Sequence, residues 1–116
     1  MNDAGTSMND QSEPMSVSTS RKGDTVVITL AGELDLHSSE LLSASVDDAL
    51  AMAPAAVEID ADALTFADSA GLRSLLGARE AAEQRGVALH LGRVSTPLGR
   101  LLDMTGLREV FELASG

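Results

Sequence analysis

The densest chemistry in this chain lies in Leu64-Thr65-Phe66-Ala67-Asp68-Ser69-Ala70-Gly71-Leu72. A strand-like apolar approach ends there in Asp68-Ser69, and a helix-like segment starts at once. A serine hydroxyl at such a junction has three uses. It can cap the helix, since Ser and Asp side chains accept hydrogen bonds from the free N–H groups of the first turn. It can be a nucleophile, since Ala67-Asp68-Ser69-Ala70-Gly71 is one residue from the G-x-S-x-G elbow. Or it can accept a phosphoryl group, whose charge of about -1.5 to -2 is tolerated by the N–H groups and dipole of a helix N-terminus.

Each use makes different demands on the rest of the chain. A hydrolase needs a histidine and a carboxylate beside the serine, and the only histidines are His37 and His90. His37 sits next to a candidate helix cap and His90 within a presumed buried strand. The elbow also lacks its first glycine, and the chain is small, so no enzyme is expected. A phosphorylated Ser69 would leave the fold nearly unchanged but make the surface beside Asp68 strongly negative. A partner docked there would meet a like-charge contact costing several kcal/mol. At about 1.4 kcal/mol per tenfold in affinity, that switches binding off. Gly71 within the first helical turn costs about 1 kcal/mol of helix propensity relative to Ala. It leaves the serine exposed and lets another backbone come close.

Composition narrows the class further. The 116 residues are 44% hydrophobic, with Phe66 and Phe111 as the only aromatic residues, so one modest aliphatic core is expected. Net charge is -10, with Lys22 the single lysine beside seven arginines. Nucleic acid and anionic lipid both require clustered positive charge, and neither suits this chain. A basic or mixed-charge protein partner does. The absence of cysteine removes disulfides and thiolate sites, and the two histidines fit no metal-ligand spacing, so neither metal nor cofactor is expected. The first 20 residues carry no Lys or Arg and no apolar core. No signal peptide and no membrane span are expected, and the default compartment is the cytoplasm.

The elements that would position Ser69 follow from periodicity and turn residues. Residues 1–14 are small, polar and acidic and read as a disordered tail, leaving 15–116 as the folded domain. Residues 15–19 suggest an edge strand, residues 21–24 a turn, and Thr-Val-Val-Ile-Thr-Leu-Ala at 25–31 the clearest strand. Gly32-Glu33-Leu34-Asp35 reads as a loop. Ser38 or Ser39 would cap a helix to about Met52, burying Leu42, Val46, Ala49 and Leu50. Residues 56–60 form a strand, and residues 69–85 a helix with Leu72, Leu75, Leu76 and Ala82 on one side, closed by Gly86. Residues 87–91 form another strand. Thr96 reads as the cap, and Pro97 as the first residue, of a helix carrying Leu98, Leu101 and Leu102 that ends at Gly106, and residues 110–113 read as a last strand. The alternation predicts an α/β domain with helices on a mixed sheet of about five strands.

With these residues in place, the sequence resembles the bacterial anti-sigma factor antagonists, the single-domain form of the STAS fold. Three stretches carry the likeness, in family order between about residues 15 and 113. They are Leu30-Ala31-Gly32-Glu33-Leu34-Asp35, the Leu64–Leu72 segment, and Leu101-Leu102-Asp103-Met104-Thr105-Gly106-Leu107. The resemblance implies a partner switch. The unphosphorylated antagonist binds an anti-sigma factor with serine kinase activity and releases the sigma factor. The kinase, using ATP and Mg²⁺, then phosphorylates the antagonist, and a PP2C-type phosphatase resets it. Carried onto this chain, Ser69 is the phosphorylation site and Asp35 and Asp68 are the carboxylates close to it. Ala70, Gly71 and Leu72 open the helix that meets the partner, and Arg73 on its solvated side is a further candidate contact. Two departures stand out. Ala70 replaces the family's second hydroxyl, which leaves Ser69 as the only acceptor between Asp68 and Gly71. The chain also stops soon after its expected last strand, so the family's C-terminal helix is expected to be missing or truncated. The other reading is a STAS scaffold or nucleotide-sensing module in which Ser69 only caps the helix.

Overall fold

A computed structural model of the chain describes residues 14–115. Apart from Pro14, the expected tail over residues 1–14 lies outside the described residues. Strands β1 (Ser16–Lys22) and β2 (Thr25–Leu34) form an antiparallel hairpin in which Lys22 pairs with Thr25. Its two-residue turn places Gly23 at φ +61°, a left-handed conformation that glycine adopts without steric cost. A 3₁₀ turn (Leu36–Ser38) leads into helix α1 (Ser39–Ala51). Then follow β3 (Ala56–Ala67), α2 (Ser69–Gln84), β4 (Ala88–Val94), α3 (Thr96–Thr105) and α4 (Arg108–Ser115). The sheet runs β1-β2-β3-β4, with β2, β3 and β4 parallel.

The mixed sheet with packed helices is as expected, but among the described residues it has four strands, not about five. Residues 110–113 belong to helix α4, so a C-terminal helix of eight residues is present where it was expected to be missing or truncated. A short apolar run cannot be assigned to strand or helix by composition alone. Here Leu107, Val110 and Phe111 also fit the i, i+3, i+4 spacing of a helix face. Phe111 is buried to 1% exposure against the sheet side of the core. Arg108 fastens α4 to α3: its Nε donates to Asp103 Oδ1 at 2.6 Å and its Nη2 to the Gly99 carbonyl at 3.1 Å. Between the two helices, Gly106 takes φ +73° and closes α3 as a left-handed C-cap. The cap at the start of α3 is Ser95, one residue before the expected Thr96, with its Oγ accepting from Leu98 N–H.

Two strands run past their expected ends, and this is what builds the site. β2 continues through the expected loop to Leu34, and β3 continues from Asp60 to Ala67, so that Leu34 pairs with Ala67. The polar residues that hid this extension sit at irregularities: the β2–β3 register shifts after Thr29 and again after Gly32. Asp60 Oδ1 accepts from Asp62 N–H at 3.1 Å, a local turn-like bond within the strand.

One core joins the layers. Val26, Ile28, Leu30, Val57, Ile59, Ala61 and Leu89 point from the sheet toward Leu42, Val46, Ala49 and Leu50 of α1 and Leu72, Leu75, Ala78 and Ala82 of α2. The α1 stripe is the one its periodicity predicted. No helix among the described residues is long and apolar enough to cross a membrane, and none of their His, Cys, Asp or Glu residues cluster as a metal site.

The docking of α4 gives a direct test. Phe111→Ala should lower the unfolding free energy by about 3–5 kcal/mol in urea titration, as for a fully buried aromatic. A loss below about 1 kcal/mol would show that α4 is not part of the core.

Candidate functional site

The site is the seam between the end of β2 and the start of α2. Asp68 N–H donates to the Leu34 carbonyl at 3.2 Å, so the last residue of β2 holds the residue that begins the helix. Asp68 is extended (φ -121°, ψ -179°) and is the N-cap of α2. Its Oδ1 accepts from Gly71 N–H at 2.8 Å, and its carbonyl accepts from Leu72 N–H at 2.9 Å. The expected division of roles is therefore corrected in one respect: Asp68 caps the helix and Ser69 does not. Ser69 is the first helical residue, exposed, and its hydroxyl has no hydrogen-bond partner among the described residues. The N–H groups of Ser69 and Ala70 beside it also lack a protein acceptor there.

Asp35 lies one residue beyond Leu34 and is half-buried. It caps the 3₁₀ turn in a reciprocal box: Asp35 Oδ1 accepts from Ser38 N–H at 3.1 Å, and Ser38 Oγ accepts from Asp35 N–H at 2.8 Å. Asp35 and Asp68 are thus both held by backbone donors at the same end of the sheet, joined through Leu34.

Gly71 explains itself at this seam. A Cβ there would run into the Leu34 carbonyl and come within 2.7 Å of Leu34 Cγ. The close backbone expected near this glycine belongs to β2 of the same chain. Gly71 is buried, and Leu72 is only 3% exposed. Both had been expected to meet a partner; in the folded chain they lie beneath the surface, because the helix must sit against Leu34 to place Ser69. Asp35, Asp68 and Ala70 remain half-buried, and Ser69 and Arg73 are exposed. Sequence reasoning missed Leu36 and Phe66, large apolar side chains left 68% and 43% exposed at this end. The available signal was that Phe66 is one of only two aromatic residues in the chain.

Neither histidine hydrogen-bonds to Ser69. His90 Nε2 faces Glu58 Oε1 at 3.7 Å, and His37 is exposed in the 3₁₀ turn. Among the described residues, no histidine is hydrogen-bonded to Ser69 as a general base would be. Charge pairing is strongest elsewhere. Arg93 donates to Asp60 Oδ2 at 2.8 Å, and this bond, helped by the Asp62 N–H, holds the Asp60 carboxyl below its ordinary value against the opposing effect of burial. The hydrogen bond from Arg108 likewise lowers Asp103.

Comparisons with known proteins agree with this architecture. The family model described as "Mlab, STAS domain" matches residues 17–113, and the chain belongs to the STAS family. The anti-sigma F factor antagonist of Paenibacillus polymyxa is 32% identical over 89 residues, covering 76% of each chain. Among solved structures, the anti-sigma factor antagonist SpoIIAA in its unphosphorylated form superposes with a TM-score of 0.66 at 28% identity, covering 80% of this chain and 83% of that one. The phosphorylated form of the Bacillus cell fate determinant SpoIIAA superposes with a TM-score of 0.59 at 28% identity, covering 79% and 85%.

Two outcomes test this geometry. Gly71→Ala should destabilise the protein by about 1–3 kcal/mol in chemical denaturation despite alanine's better helix propensity, because the methyl group collides with the end of β2. The second concerns acid. Because the folded Asp60 carboxyl is lowered, the Asp60–Arg93 pair contributes stability above the unfolded value of about 3.9, and loses it as pH falls through the folded value. Arg93→Ala should therefore melt below the parent at neutral pH, with the gap narrowing as pH falls below the unfolded value of about 3.9. A constant gap between them across that range would remove the pair from the acid response.

Proposed function

We propose that this chain is an anti-sigma factor antagonist that works as a phosphorylation-controlled binding module and not as an enzyme. Its unphosphorylated form binds an anti-sigma factor serine kinase and frees the sigma factor. Phosphorylation of Ser69 by that kinase ends the complex, and a PP2C-type phosphatase restores binding. The chain needs no cofactor of its own, contacts neither nucleic acid nor membrane, and acts in the cytoplasm.

The observation that carries this reading is the free, exposed hydroxyl of Ser69 at the first position of α2. Because Asp68 already supplies the cap, modifying Ser69 removes no hydrogen bond from the fold. A phosphate on Ser69 would lie beside the unpartnered N–H groups of the first turn, whose partial positive charge stabilises an anion. Its other oxygens would face outward, close to Asp68 and Asp35. The modification thus acts on the surface charge and leaves the core alone. Ala70 leaves no competing hydroxyl. The names of the relatives, one of them a phosphorylated form, support the same reading.

The alternative of a non-switching STAS scaffold or nucleotide-sensing module treated Ser69 as a structural cap, and Asp68 occupies that role here. The two readings part on a binding measurement. Ser69→Ala should hold the kinase, and Ser69→Asp should bind it at least about 100-fold more weakly, the equivalent of roughly 3 kcal/mol of like-charge repulsion. Phosphate mapping after incubation with kinase and ATP should find Ser69 alone. Equal affinity of the two variants would favour the non-switching module.

A further inference from the structure

We propose that Leu36 and Phe66 are apolar anchors of the partner interface, separate from the serine that switches it. This rests on the antagonist reading above and specifies the surface through which the partner is held.

The large apolar side chains that the fold leaves exposed among the described residues are Leu36, Leu41, Met52, Phe66 and Met104. Isolated exposed apolar residues are ordinary and by themselves signify nothing. The position of two of them does. Phe66 lies just before Asp68 on β3, and Glu33 is its neighbour across the ladder. Leu36 lies in the turn that leaves β2, only a few residues from Glu33. Leu36 and Phe66 therefore flank the Leu34–Asp68 seam that presents Ser69. In a chain with two aromatic residues, one fills the core at 1% exposure and the other stands 43% exposed on the strand that leads into Asp68-Ser69.

Their surroundings select the partner. Glu33, Asp35, Glu40 and Asp68 lie at the same end, on the strand ends, the turn and the first turn of α1, with Arg73 as the exposed cation on α2. Exposed apolar groups among carboxylates suit a protein surface with an apolar pocket rimmed by Lys or Arg. They do not suit a phosphate backbone or an anionic membrane. Such an arrangement divides the work. Burial of Leu36 and Phe66 would supply affinity, aromatic anchors being common among the residues that dominate interfaces. A phosphate on Ser69 would add charge at the edge of the contact and force its desolvation. The partner is the kinase of the antagonist reading, docking its apolar pocket over these two side chains.

The test places Leu36→Ser and Phe66→Thr separately in a Ser69→Ala background, so that phosphorylation cannot interfere. Threonine keeps strand propensity at Phe66. Met52→Ser serves as a control, because Met52 is 44% exposed but sits at the other end of α1, about 20 Å along the helix from Ser39. The kinase captured by the Ser69→Ala protein is identified, purified and titrated by calorimetry. Each anchor variant should bind about tenfold or more weakly, as expected for leaving one such side chain unburied. The Met52 variant should bind like the parent, and melting temperatures should stay within about 2 °C. Leu36→Ser carries the test if Phe66→Thr destabilises the strand. Undiminished binding of the anchor variants, with Ser69→Asp still released, overturns the anchors and leaves the switch standing. Equal binding of Ser69→Ala and Ser69→Asp overturns the switch, while weak binding of the anchor variants would still uphold the anchors.

Discussion

The structure depends on the contact between the last residue of β2 and the first turn of α2. The Leu34 carbonyl receives the Asp68 N–H, and Gly71 brings the helix backbone against the same residue. This seam fixes where α2 begins and which way its N-terminus faces. It also joins the two acidic positions, because Asp35 follows Leu34 and Asp68 is bonded to it. A side chain at Gly71 would push the helix away and take Ser69 with it.

The same seam separates two roles that a helix N-terminus often gives to one residue. Asp68 turns inward and satisfies Gly71 N–H, while Ser69 is left outside with a free hydroxyl. A modification site that is also a cap would couple modification to helix fraying, because the cap hydrogen bond would be lost. Here the cap is a neighbouring carboxylate, so the chemistry at Ser69 can change the surface while the core beneath it, with Leu72 and Leu75, stays packed. Buried Gly71 and Leu72 hold the platform, and Ser69 and Arg73 are exposed around it.

At the β4 edge of the sheet the fold completes itself with a helix. Residues 110–113 look like a strand because a valine and a phenylalanine fall together. The environment decides otherwise: Leu107, Val110 and Phe111 reach the core together only on one face of a helix. The ion pair of Arg108 with Asp103, made possible by the chain reversal at Gly106, holds that helix at the end of α3. The third family stretch, Leu101–Leu107, is therefore mainly structural, forming the end of α3 and the turn into α4.

Much of this was legible beforehand, for local reasons. The α1 stripe, the helix starting at Ser69 and the turns at Gly86 and Gly106 follow from side-chain periodicity and from which residues tolerate a left-handed backbone, and the exposure of Ser69 was expected from Gly71 in the first turn. The sequence alone also determined that the core is mainly aliphatic, that no thiolate site exists and that the chain carries a net charge of -10. Tertiary structure decided what depends on distant residues meeting. Pairing with β3 carried Gly32 to Leu34 into a strand, because backbone groups there find partners across the ladder. The approach of β2 to α2 gave the cap to Asp68, buried Gly71 and left Phe66 outside. Burial of Phe111 made the C-terminal segment a helix. These outcomes turn on which groups lose water and which backbone donors remain unpaired once the layers close.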